Sequence, residues 1–95
     1  ILCSNDRLAI GLMSAAYESG LKVGHGVEFD LRIAGHDDHP FSRYTCPSLT
    51  TISQDYDAIG ERSVSEMLKI IDGTNRITQR SEKLFEGRLV MRSSA

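Results

Sequence analysis

Between Asp55 and Gly73 the residues Tyr56, Ile59, Gly60, Ser63, Val64, Met67, Leu68 and Ile71 recur at steps of three and four. That is the spacing of one face of an α-helix. Asp55 can accept from the orphan N–H groups of the first turn, and Gly73 suits the left-handed residue that ends a helix. A second helix is predicted after Ser4-Asn5-Asp6, with Leu8, Leu12, Ala15 and Ala16 forming its apolar stripe and Gly20 stopping it. Around these helices, Ile1-Leu2-Cys3, Leu31-Arg32-Ile33-Ala34 and Leu49-Thr50-Thr51-Ile52 read as short strands. Leu84-Phe85 and Leu89-Val90-Met91 suggest a further pairing around Gly87. Strands alternating with helices predict an α/β fold with a mostly parallel sheet and flanking helices. Two helices cannot cover both faces of such a sheet. The chain therefore reads as part of a larger α/β protein, an expectation shared by its apolar opening without an initiator Met.

At 95 residues the chain allows one domain. Its 40% hydrophobic and 25% charged residues are those of an ordered globular segment. A formal net charge of −2 excludes the basic footprint that phosphate neutralisation demands, so this segment by itself is not expected to bind nucleic acid. No apolar run approaches the ~20 residues of a membrane span. Cys3 and Cys46 belong to no CxxC pair or regular framework and read as free, reduced thiols of a cytoplasmic protein.

The stretch Ala34-Gly35-His36-Asp37-Asp38-His39-Pro40 holds two imidazoles and two carboxylates in four consecutive positions. Zinc would need three or four such groups converging on one point. In an extended run His36 and His39 point to opposite faces, and Pro40 disfavours a helical His39. A hydrogen-bonding loop just past a strand end is the preferred reading, with no metal or other cofactor. Catalysis has still less support, because neither a nucleophile elbow nor a phosphate-binding Gly-rich loop is present.

Three ordered stretches, CSNDRLAIGLMSAAYESGLKV, IAGHDD and PSLTTISQDYDAIGERSVSEMLKIIDG, resemble the C-terminal part of the LacI/GalR family of bacterial transcriptional regulators. The closing LVMRSSA is similar to that family's terminal L-V-x-R-x-S. Departures are His36 where the family carries an aromatic, Ser48 where it carries Pro, and extra residues in HGVEFDLRIAG. The resemblance implies the C-terminal portion of a two-lobed, periplasmic-binding-protein-like effector domain. It further implies a sugar or related small molecule in the cleft between lobes, a homodimer, and operator DNA held by an N-terminal helix-turn-helix domain outside this chain.

Carried over residue by residue, the resemblance assigns effector binding to Asn5, Asp37, Gln54 and Tyr56. Asn5, Asp37 and Gln54 also lie at or beyond predicted strand C-terminal ends, where open parallel sheets bind ligands. Carboxylate and carboxamide groups suit a polyol. Each has a structural reading beside the functional one: Asn5 and Asp6 as helix caps, Asp37 as a loop residue bonded to nearby backbone, Tyr56 as part of the apolar stripe. Asp38 is expected to be structural. By resemblance, dimer contacts come from Ile10 and Met13 on the exposed side of the first helix and from Phe41, Arg43, Tyr44 and Thr45. Core packing is the alternative there. Two other classes stay open, a periplasmic sugar-binding protein and a metal-dependent hydrolase using His36-Asp37-Asp38-His39.

Overall fold

A computed structural model describes residues 1–74 and 82–95. The chain divides into two compact units, one of Ile1–Ser53 with Gly87–Ala95, the other of Gln54–Glu86.

In the first unit, helix α1 spans Asp6–Glu18. Asn5 caps it, its Oδ1 accepting from the Leu8 N–H at 2.9 Å. Gly20 follows the helix at φ 73°, the left-handed conformation that glycine adopts without a Cβ penalty. The buried face meets the expected stripe only in part: Ala16 is buried and Leu12 packs against the core, but Leu8 and Ala15 are exposed. Asp6, Ala9, Met13 and Ala16 are buried, whereas Leu8 is 58% exposed. Both sets have helical spacing and share Ala16, but Leu8, Leu12 and Ala15 each stand one residue before Ala9, Met13 and Ala16, about 100° of rotation away. Asp6 decides between them: its carboxylate is satisfied inside the unit, so the helix turns to bring it there. Ala9, Met13 and Ala16 then pack with Val23, Ile33 and Leu49 to form the core.

Against this core run short extended segments. Ala34 bridges Leu2 on one side and Thr50 on the other, both in parallel, and Val23 bridges Leu31, also in parallel. The regular ladder is instead antiparallel: β1, Thr51–Ser53, pairs with β2, Arg88–Val90, in the register Thr51 to Val90 and Ser53 to Arg88. This corrects the expected pairing around Gly87, because residues 82–87 form no strand and β2 takes β1 as its partner. After β2 the chain closes the unit. Ser94 is fully buried. Its Oγ accepts from Thr50 N at 2.8 Å and donates to the Ile33 carbonyl at 2.6 Å, joining three segments.

The second unit is built on α2, Tyr56–Ile71. Asp55 is its N-cap, accepting from Ala58 N at 3.0 Å, and Gly73 follows at φ 69°. Glu66 pairs with Arg62 and with Lys69, each at 2.9 Å, on a polar face. Such pairs contribute about 0.2–0.5 kcal/mol each. The apolar stripe is present, but no α2 residue is fully buried, and Val64, Met67, Leu68 and Ile71 are exposed. Capping and charge pairing support this helix locally. Asp55→Ala in the full-length protein is accordingly expected to cost about 1 kcal/mol, read as a lower denaturant midpoint, with Asp55→Ser restoring most of it.

Candidate functional site

The loop from Gly35 to Arg43 takes its shape from the first residue of α1. Asp6 is 1% exposed. Its Oδ2 accepts from the Ser42 hydroxyl at 2.5 Å and from the His39 N–H at 2.7 Å, and its Oδ1 accepts from the Thr51 hydroxyl at 2.5 Å. Its own N–H donates to the His36 carbonyl at 2.9 Å. One carboxylate thus joins α1, the loop and β1. Asp6 is neither the helix cap, a role Asn5 fills, nor a group open to a ligand.

Gly35 is required by this arrangement. A Cβ there would overlap Asp6 Oδ1 and lie 3.1 Å from Asp6 Cα.

The next residues carry the strain. Asp37 has φ 114° and Asp38 φ 49°, conformations costing roughly 1–3 kcal/mol each for residues other than glycine. They persist because neighbours hold them. Asp37 N donates to the Ile52 carbonyl at 2.8 Å, and Asp38 N to Thr51 Oγ1 at 3.3 Å. The Asp38 carboxylate accepts from Arg92 Nη2 at 2.6 Å, while Arg92 Nη1 donates to the Leu49 carbonyl at 2.8 Å. Asp38 is therefore structural, as expected, and pins the loop to the C-terminal tail.

Asp37 stands differently. Its side chain is 41% exposed, with Oδ1 at 3.2 Å from His36 Nδ1.

The four polar residues of the motif thus do separate things. His36 faces Asp37, and Asp38 faces Arg92. His39 Nδ1 accepts from Phe41 N at 3.2 Å and so caps the short 3-10 turn Pro40–Arg43. Among the described residues, no group of three or more His, Cys, Asp or Glu side chains is gathered as a metal would need. Cys3 and Cys46 are not bonded to each other.

Of the sequence-predicted site residues, Asn5 and Asp37 are brought together. Each is one position from the hydrogen bond between Asp6 N and the His36 carbonyl. Asn5 is also the helix cap, so the two readings of that residue are compatible. Gln54 and Tyr56 belong to the second unit, Gln54 directly after β1 and Tyr56 at the first position of α2. Sequence reasoning missed the residues that set the loop, Ser42, Thr51 and Arg92. Their types carry no signal until the fold places them beside Asp6 and Asp38.

Of the residues assigned to dimer contacts, Phe41 and Tyr44 are 67% and 77% exposed, and Arg43 is exposed as well. Ile10 is half-buried. Thr45 donates its hydroxyl to the Ser42 and Pro47 carbonyls at 3.1 and 2.8 Å. Met13 corrects the expectation of an exposed patch: it is 7% exposed and packs in the core, since the rotation that buries Asp6 turns it inward.

Comparison with known proteins agrees with this geometry. The family model described as periplasmic binding protein-like domain matches residues 1–95. The lactose operon repressor of Escherichia coli K12 is 41% identical over 73 residues, 77% of this chain and 19% of the repressor. The HTH-type transcriptional regulator MalR of Streptomyces coelicolor is 35% identical over 94 residues, 99% of this chain and 26% of that regulator. The chain therefore spans about a fifth to a quarter of the length of these relatives. Among solved structures, the lac repressor dimer bound to operator and the anti-inducer ONPF superposes with a TM-score of 0.78 at 36% identity, over 98% of this chain and 30% of that one. These relatives are transcriptional regulators, not enzymes. Matched over its whole length by that model and by such relatives, the chain belongs to the periplasmic binding protein-like family, among the LacI-type transcriptional regulators.

Proposed function

We infer that the chain is the C-terminal part of the effector-binding domain of a LacI-type regulator. It binds a sugar or related small molecule in the cleft between two lobes and passes that binding to operator DNA through an N-terminal domain outside this chain. Within the complete domain, the parallel row Leu2–Ala34–Thr50 is a piece of a larger parallel sheet. The protein acts as a cytoplasmic homodimer with contacts from Phe41, Arg43 and Tyr44. Among the described residues no helix is long and apolar enough to cross a membrane.

One observation carries the reading. Asp37 is held in a strained backbone by its neighbours while its own carboxylate stays half exposed. Strain that the surroundings enforce, with an accessible polar group at its centre, is the usual mark of a ligand clamp. An ionised carboxylate accepts from two neighbouring hydroxyls of a polyol, and the Asn5 carboxamide has a donor to add. Gln54 and Tyr56 are candidate effector contacts on the family resemblance alone. The relatives' names, lactose operon repressor among them, support the same class of effector. Mechanistically this is linkage: a ligand that favours one lobe arrangement shifts the population, and the DNA affinity changes by the coupling energy, typically about 1–3 kcal/mol.

The test is thermal melting of the full-length protein with lactose, maltose, sucrose and ONPF, and separately with zinc, manganese and chelator. A sugar present at ~100 times its dissociation constant adds ~2.7 kcal/mol of stability. Asp37→Ala is expected to weaken that sugar about 10- to 150-fold, the loss of a charge-assisted hydrogen bond of ~1.5–3 kcal/mol. A shift with metal that chelator reverses, and none with sugars, would replace this reading with a metal-dependent one.

A further inference from the structure

We propose that Arg92 is a positioning residue of the effector site: by gripping Asp38 from the C-terminal tail it holds the left-handed backbone that presents Asp37, without itself touching a ligand. The inference rests on the effector-site reading of Asp37 and deepens it.

Arg92 is anchored at both ends. Its N–H donates to Thr50 Oγ1 at 2.8 Å, and its Nη1 donates to the Leu49 carbonyl at 2.8 Å. Leu49 and Thr50 are both buried, so the anchors belong to the core of the unit. Ser93 N and Ser94 N, next along the tail, each donate to the Ser48 carbonyl at 3.0 Å. A planar guanidinium held through Nη1 has its other nitrogens aimed in set directions. Nη2 meets Asp38 Oδ1 at 2.6 Å, with the Arg92 and Asp38 side chains only 13% and 19% exposed. Largely shielded from water, this charge-assisted bond is stronger than a pair on an open surface.

The grip opposes backbone strain. Asp38 has φ 49°, a conformation that a residue with a Cβ leaves with a preference of about 5- to 30-fold when nothing holds it. Asp38 N donates to Thr51 Oγ1 over a long 3.3 Å, so the ion pair is the shorter and stronger hold on Asp38. On the far side, His39 N is fixed to Asp6 Oδ2 at 2.7 Å. A change of φ at Asp38 is therefore taken up by the peptide it shares with Asp37, and the Asp37 carboxylate swings with it. Effector affinity then falls by the fraction of molecules whose loop has left the binding conformation.

The experiment is calorimetric titration of the full-length protein with lactose, maltose, sucrose and ONPF, each variant first shown by melting to be folded at the titration temperature. For the sugar that wild type binds best, Arg92→Met is expected to weaken binding about 10-fold, and Asp38→Ala, which loses the pair but keeps a Cβ, by about the same. Asp38→Gly also loses the pair, yet glycine adopts φ 49° without a penalty, so its loss should be no more than about 3-fold. In the Asp38→Gly background Arg92→Met should cost nothing further, because Arg92 has nothing left to grip. Asp37→Ala tests the effector reading alongside. If Asp37→Ala loses binding while Arg92→Met lowers the melting point and leaves affinity unchanged, Arg92 is a stability residue and the positioning role is wrong. The role is equally wrong if Asp38→Gly loses as much as Asp38→Ala, or if Arg92→Met adds its full loss to Asp38→Gly. Should Arg92→Met fail to fold, the comparison of Asp38→Ala with Asp38→Gly decides by itself. If wild type binds none of the four, or Asp37→Ala binds as wild type does, the effector reading falls and this inference falls with it.

Discussion

Replacing Asp6 by alanine is expected to destabilise the full-length protein by about 4 kcal/mol, or to abolish soluble expression, although Asp6 touches no proposed ligand. The truncation leaves the Ser42 hydroxyl, the Thr51 hydroxyl and the His39 N–H without their acceptor. Each donor stranded in a buried place costs about 1–3 kcal/mol, and the bonds lost are the stronger kind made to a charged acceptor, about 1.5–3 kcal/mol each. Side-chain rotation relieves part of this, because both hydroxyls can seek other acceptors. Asp6→Asn should cost about half as much. It keeps one oxygen for Ser42 and His39, and its NH2 can be accommodated if Thr51 turns to accept. Asp57→Ala, which removes an exposed acidic residue from the first turn of α2, provides the contrast and should change stability by no more than about 0.5 kcal/mol. Urea denaturation of the three variants decides the matter. An Asp6→Ala protein as stable as Asp57→Ala would mean the carboxylate does not organise the loop.

Gly35→Ala should be nearly as damaging, for a steric reason. The added Cβ meets Asp6 Oδ1 and lies 3.1 Å from Asp6 Cα, so the obstacle includes main chain that cannot swing aside. Retreat is blocked on the other side as well, since Gly35 N donates to the Thr50 carbonyl at 2.9 Å and the neighbouring His36 carbonyl is bound by Asp6 N. Overpacking of this kind costs about 1–3 kcal/mol, and the displacement also lengthens the three hydrogen bonds that Asp6 accepts. The sum is expected at about 3 kcal/mol or more. Gly73→Ala separates space from backbone conformation, because Gly73 has φ 69° but nothing within 4 Å of a Cβ. It should cost only the left-handed penalty of about 1–2 kcal/mol. Equal effects at the two glycines would show that close approach to Asp6 is not what position 35 requires. Since Asp37 lies two residues on, Gly35→Ala should also weaken effector binding in whatever fraction stays folded.

The linear chain conceals the importance of residues such as Asp6 and Gly35. The two helices, their caps at Asn5 and Asp55 and their stops at Gly20 and Gly73 are legible in sequence, because capping and periodicity are local. The resemblance to the family was legible too, through motifs in fixed order. Asn5 could be read as a cap from the sequence alone, whereas an effector role for Asn5 and Asp37 came only with the resemblance. Within α1 the stripe Leu8, Leu12, Ala15 and Ala16 and the set Asp6, Ala9, Met13 and Ala16 are equally helical. A hydropathy pattern favours the first, because it counts Asp6 as polar and therefore outward.

Contacts a few residues apart settle which segments are helical, where they begin and end, and which loop follows a strand, so all of that can be read along the chain. Packing between distant segments settles the rest: which face of α1 is inside, that β2 pairs with β1, and that Asp38 is taken by Arg92 while Asp37 keeps an exposed carboxylate. The division follows from how polar groups are buried, because a carboxylate inside a protein must find its hydrogen-bond donors wherever the chain can supply them. For Asp6 those donors lie 33, 36 and 45 residues away, beyond the reach of any local pattern.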